Sequence, residues 1–180
     1  ETITDTWHIV GRRVEAEVSR KVQRTYLWSE KSSRSALLVD VLHGTKTAST
    51  RFFFFSVLEA TLNFYTSFTP LRAELLSAQK VRQPENAVEG ETSIKSAMTN
   101  FTTVKTANPW LRSYPLLLQD VVAEQHEGNW IIRDSEGYFL SLPPRFGYGW
   151  YLRALSADGL WLFGEYDGVR FLPLSTWANG

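Results

Sequence analysis

With 180 residues, 43% of them hydrophobic and 14% aromatic, the chain can build one domain of common size or two small ones, and it is too apolar for a disordered segment. Its 19 basic and 19 acidic side chains cancel, which excludes a global field that steers the protein towards nucleic acid or anionic lipid. The absence of cysteine excludes disulfides, thiolate zinc sites, iron–sulfur clusters and thiol nucleophiles from this segment, and fits a reducing cytoplasm.

No apolar run approaches the roughly 18 residues of a membrane span, and the polar start Glu1-Thr2-Ile3-Thr4-Asp5 lacks the basic and apolar regions of a signal peptide. The expectation is a soluble cytoplasmic protein without a membrane partner. A start at Glu1 in place of Met is what a piece trimmed from a longer protein shows.

Residues 1–82 read as an antiparallel β-sheet unit, because β-branched and aromatic residues dominate and apolar and polar side chains alternate. Leu58, Ala60, Leu62 and Phe64 are expected to face a core, with Glu59, Thr61, Asn63 and Tyr65 outward; Leu71, Ala73 and Leu75 continue the pattern against Arg72 and Glu74. Residues 36–42 are apolar on both faces apart from Asp40, as are residues 51–55, so both segments are expected to be central or covered. Ser32-Ser33 and His43-Gly44-Thr45 are turn signals.

The polar, turn-rich stretch at 82–93 marks a boundary, and residues 83–115 are read as a linker and one helix. Thr92 or Ser93 caps that helix; Ile94, Met98, Phe101 and Val104 or Lys105 keep its spacing, and Asn108-Pro109 ends it.

In residues 116–180 short apolar stretches alternate with Glu127-Gly128, Glu136-Gly137, Asp158-Gly159 and Asp167-Gly168, which read as hairpin turns. Six strands fit, near residues 117–126, 129–134, 138–142, 149–157, 160–166 and 169–174. So many short antiparallel strands limit exposed edges by curling, so a small SH3-like β-barrel of hairpins is expected. The fold class is mainly β with one helix.

The chemistry-bearing residues are sparse. His8, His43 and His126 lack metal-ligand spacing, and no metal or other cofactor is expected in this segment. Gly-x-Ser-x-Gly is absent. A small hydrolase would need two of Asp134, Glu136, Asp158, Glu165 and Asp167 to meet in a cleft, but turn formation already accounts for these acids. Gly147-x-Gly149 follows Pro143-Pro144 and reads as a bend, not a phosphate cradle. Residues 145–151 combine cations with aromatic faces, and Arg145, Tyr148, Trp150, Arg153 and Trp161 form the candidate surface for single-stranded nucleic acid or another partner, although aromatics at alternate strand positions more often fill the core of a small barrel. The basic cluster of Arg12, Arg13, Arg20, Lys21, Arg24, Lys31 and Arg34 is diluted by Glu15, Glu17 and Glu30 and reads as a solvated face with ion pairs.

Three ordered phrases carry a family resemblance: Trp7 to Glu15, Val22 to Glu30 and Ser35 to Asp40. Phe64-Tyr65, residues 70–73, residues 108–111, Leu155-Ser156, residues 163–168 and residues 172–174 extend it over nearly the whole chain. Together they resemble the region following the zinc-binding motif in bacterial SWIM zinc finger family proteins. The resemblance implies a Cys-x-Cys…Cys-x-His module that binds DNA or protein. This cysteine-free segment cannot carry that module, so no zinc ligand or enzymatic residue transfers to it. What it implies instead is a non-enzymatic accessory region, with a protein partner or nucleic acid as its target.

Overall fold

The computed structural model describes residues 1–18, 20–29, 31–32, 34–42, 56–66, 71–82 and 88–178. They divide into two compact units, Glu1–Val88 and Glu89–Gly180, each with one five-stranded antiparallel sheet. The expected turn at His43-Gly44-Thr45, the apolar segment 51–55 and most of the expected linker, 83–87, lie outside the described residues.

The first unit comprises β1 (Thr2–Glu17), β2 (Arg20–Ser29), β3 (Ser35–Leu42), β4 (Val57–Phe64) and β5 (Ala73–Arg82), in the order β3-β2-β1-β4-β5. The long β1 pairs with β4 along its first half and with β2 from Trp7 onwards. One sheet face gathers Trp7, Ile9, Leu27, Ala36, Leu38, Leu58, Ala60, Leu62, Phe64 and Ala73 into a core. The alternation expected for residues 58–65 is observed, with Leu58, Ala60, Leu62 and Phe64 buried and Glu59 and Tyr65 exposed. The buried indole of Trp7 donates to the Ala60 carbonyl at 3.2 Å, so its one polar atom is satisfied.

A register shift between Ile9 and Gly11 resets the phase of β1. Residues paired across an antiparallel ladder point to the same face, and Ile9 faces Leu27 while Arg12 faces Thr25. Arg12 therefore shares the core-facing row two positions further along β2. Without the shift it would point to the other face.

Among the described residues one bridge joins the two edges of this sheet. Leu37 and Arg72 form a parallel bridge, and the Leu37 N–H donates to the Leu71 carbonyl at 2.7 Å. Thus β3 stands at an edge of the strand order, while Ala36, Leu37 and Leu38 are nevertheless covered on both faces.

The second unit comprises α1 (Ile94–Ala107), β6 (Tyr114–His126), β7 (Asn129–Arg133), β8 (Phe139–Ser141), α2 (Gly149–Leu155), a 3-10 turn (Ser156–Asp158), β9 (Leu160–Tyr166) and β10 (Phe171–Ala178). As the sequence predicts, Ser93 caps α1, its Oγ accepting from the Ser96 N–H at 3.3 Å, and the helix ends at Asn108. Ile94 and Ala97 enter a core with Leu118, Val121, Ala123, Ile132, Leu140, Leu152, Leu160, Leu162 and Phe171. The β6–β7 connection is the tight hairpin that Glu127-Gly128 predicts, with φ of 50° and 79° at its two central residues, a type I′ pattern.

Two expectations for this unit are corrected. Residues 149–157, read as a strand, form α2 and the 3-10 turn. The buried positions Gly149, Leu152 and Ser156 follow helical spacing, which the neighbouring aromatics obscure when every second residue is counted as inward. Asp158-Gly159 accordingly leads from helix into β9 and does not join two strands. The second correction is the barrel. The sheet order β10-β9-β6-β7-β8 is open, and neither sheet closes. The strand needed for closure is helical, and the β8 edge is only 3 residues long.

Candidate binding surfaces

Four of the five residues singled out from the sequence lie on one short stretch of the second unit. Arg145 is in the loop after β8, Tyr148 is the N-cap of α2, and Trp150 and Arg153 are on that helix; all four are exposed. Trp161 does not join them. It is buried on β9, on the face opposite Leu160 and Leu162, whereas α2 contributes Leu152 to the core on the Leu160 side. Tyr151 takes its place among the exposed aromatics, which stand 70% (Tyr148), 69% (Trp150) and 59% (Tyr151) open to solvent.

Packing beneath this aromatic ledge holds it in position. The Trp130 ring meets Trp150 edge-on with centroids 5.0 Å apart, and Phe146 meets Tyr148 at 6.0 Å. Gly149 begins α2, so it is more than the bend expected of it, and a Cβ there would collide with the Trp130 indole. Arg145 is held at a φ of 60°, uncommon for a residue with a side chain. The Arg153 guanidinium reaches back to the Ala123 carbonyl at 3.4 Å.

A second surface lies in the first unit, in residues of which sequence reasoning singled out only Arg12, as part of the basic cluster. Where the β3 and β5 edges part beyond the Leu37–Arg72 bridge, a groove of about 360 Å³ opens. Arg12, Gln23, Thr25, Asp40, Tyr65, Arg72 and Glu74 supply its polar lining, and Leu38, Val39, Ala73 and Leu75 the apolar part. Gln23 and Thr25 are buried on the same β2 row as core Leu27, and the Gln23 Nε2 donates to the Thr25 Oγ1 at 3.3 Å. Burial lowers the affinity of the Arg12 guanidinium for its proton, and the charge of Asp40 opposes that effect. The Arg72 guanidinium lies 5.2 Å from the centre of the Tyr65 ring, and the Tyr65 N–H donates to the Arg72 carbonyl at 3.0 Å. The signal available in sequence was Gln23-x-Thr25, two polar residues continuing a row that ends in core Leu27.

The remaining candidates disperse. Asp134 Oδ1 accepts from the Glu136 and Tyr138 N–H groups, and Asp167 Oδ1 from those of Val169 and Arg170, so both acids hold their own turns. Asp158 is in the 3-10 turn and Glu165 is buried on β9. Among the described residues no group of three or more His, Asp or Glu is placed to hold a metal ion, and no helix is long and apolar enough to cross a membrane. His8 is buried on β1, His126 packs beside Phe139 at 5.5 Å, and His43 is outside the described residues. The front basic cluster divides: Arg12 enters the groove, Arg13 and Arg24 both pair with Glu15 at 2.7 and 3.0 Å, and Arg34 pairs with Glu1 at 3.1 Å.

Comparison with family models, with curated proteins and with solved structures returned no match.

Proposed function

We propose that the chain is a non-enzymatic interaction module of a larger cytoplasmic SWIM-type zinc finger protein, and that it contacts a partner protein through the ledge of Tyr148, Trp150 and Tyr151. The observation that carries this reading is the exposure of three large aromatics within four residues, Tyr148 at the N-cap of α2 and Trp150 and Tyr151 on that helix, whose Leu152 is anchored in the core. Large apolar side chains left exposed close together are a mark of interaction sites. Aromatic and arginine side chains also carry much of the energy of protein interfaces, and Arg145 and Arg153 flank the ledge. Crosslinking of the intact protein in its native host, with Trp150→Ala as the comparison, tests the proposal. A partner so identified and purified should bind the variant roughly thirtyfold more weakly, the effect of losing about 2 kcal/mol at an anchor residue. Equal binding by both forms removes the ledge from the interface, and turnover of a substrate by the purified protein removes the non-enzymatic reading.

A second reading, direct binding of single-stranded nucleic acid, draws on the same geometry, because exposed aromatic faces between two arginines can stack bases while the cations meet phosphates. Titration of tryptophan emission with oligonucleotides distinguishes it. Quenching that weakens steeply with salt and disappears in Trp150→Ala supports nucleic acid, while unchanged emission excludes it.

A further inference from the structure

We propose that the groove between β3 and β5 of the first unit is a binding site for a neutral, hydroxyl-rich ligand, a saccharide, held between Tyr65 and the mixed charges of Arg12, Asp40, Arg72 and Glu74. The site is separate from the ledge and does not rest on it.

The lining sets the ligand's chemistry. Two guanidinium groups and two carboxylates contribute +2 and −2, so the formal charge of the wall is zero. A phosphate polymer would gain from the arginines but meet Asp40 and Glu74 in the same groove, which disfavours nucleic acid. A hydroxyl group is both donor and acceptor. A ring carrying several of them can use arginines and carboxylates together, leaving no wall charge opposed by a like charge. Hydrogen bonds to ionised partners are also the stronger kind.

The apolar part of the lining matches the other half of a sugar's surface. Tyr65 is 51% exposed, and its backbone bond to Arg72 and the guanidinium beside its ring hold it at the groove. Its ring offers a flat face to the C–H side of a pyranose, and Leu38, Ala73 and Leu75 supply further apolar contact. The volume of about 360 Å³ lies within the usual range for small-ligand sites and accommodates one or two sugar rings. The groove is ready-made, since it exists where two sheet edges part beyond the Leu37–Arg72 bridge.

The test is saturation-transfer NMR and calorimetry on the full chain with neutral pentasaccharides of glucose, xylose, mannose and N-acetylglucosamine, alongside a single-stranded oligonucleotide and an uncharged peptide. At least one saccharide should bind with an affinity unchanged between low and high salt. Tyr65→Ala and Asp40→Asn should each weaken it tenfold or more, while Val169→Ser, at an exposed position of the second unit, leaves it intact. Both altered groove residues are exposed, and thermal unfolding will verify that the variants fold. Failure of all four sugars to bind, equal binding by the Tyr65 variant, or a preference for the oligonucleotide or the peptide overturns the proposal. A null result here leaves the ledge reading untouched, because that reading is scored on Trp150.

Discussion

The carboxylate of Asp134 and the backbone N–H of Ile94 meet at 2.8 Å across 40 residues of chain, joining the turn after β7 to the start of α1. The other carboxylate oxygen receives Glu136 and Tyr138, so one buried side chain satisfies three backbone donors. Asp134→Ala should therefore cost the second unit about 3 kcal/mol, because it strands the buried Ile94 N–H as well as removing two further hydrogen bonds. Asp134→Asn should cost less. Urea unfolding of the two variants, followed through tryptophan emission, measures the difference.

Gly149 is set against the Trp130 indole too closely for any side chain. Gly149→Ala should destabilise the second unit by about 1–3 kcal/mol, the usual cost of overpacking, although alanine is the better helix former. A gain in stability would show that Trp130 moves freely. The Trp150 emission spectrum should shift in the same variant, since Trp130 packs edge-on against Trp150.

In the first unit the Ser29 hydroxyl donates to Asp5 Oδ2 at 2.5 Å and accepts from the Ser32 N–H at 2.9 Å, which ties the β2–β3 turn to β1. Ser29 and Asp5 are both buried. Ser29→Ala should lower stability by about 1–3 kcal/mol, because the Asp5 carboxylate then loses a donor in a poorly solvated site. Hydrogen exchange should rise first at Ser32, whose N–H loses its acceptor.

Tyr114 and Tyr166 flank Phe101 with ring centroids 5.8 and 4.9 Å away. Burial raises both phenols above their ordinary value of 10.0, and the charges of Glu91 and Asp167 respectively add to the effect. The folded state thus holds these protons more tightly than the unfolded chain. Their contribution is fully present below pH 10 and is lost as pH rises through the folded values. Thermal midpoints should fall above about pH 10, and Tyr114→Phe with Tyr166→Phe should flatten that fall. Absorbance near 295 nm should show part of the tyrosine ionisation delayed, and the delayed part should disappear in the double variant.

Element type was legible wherever local chemistry and burial agree. Ser93 and Asn108 bound α1 as the capping rules require, the residues from Leu58 to Phe64 alternate as a half-buried strand must, and Glu127-Gly128 turns as its positive φ values allow. Residues 149–157 failed because aromatic side chains at exposed positions carry the same hydrophobic signal as buried ones. Only packing against Trp130 and the β6 strand separates the two cases. The same confusion placed Trp161 beside Trp150 in a common surface, although its strand face points away from α2.

From its residues alone the chain determined a mainly β protein without cysteine, the helix at 94–107 and most strand positions. These features follow from backbone preference and side-chain periodicity within a few residues of each other. Tertiary structure decided whether the sheets close, which face each strand buries, and that Arg12, Asp40, Tyr65 and Arg72 share one groove. Those outcomes depend on a register shift at Ile9/Gly11 and a bridge between Leu37 and Arg72, pairings between residues far apart in the chain that no local pattern encodes.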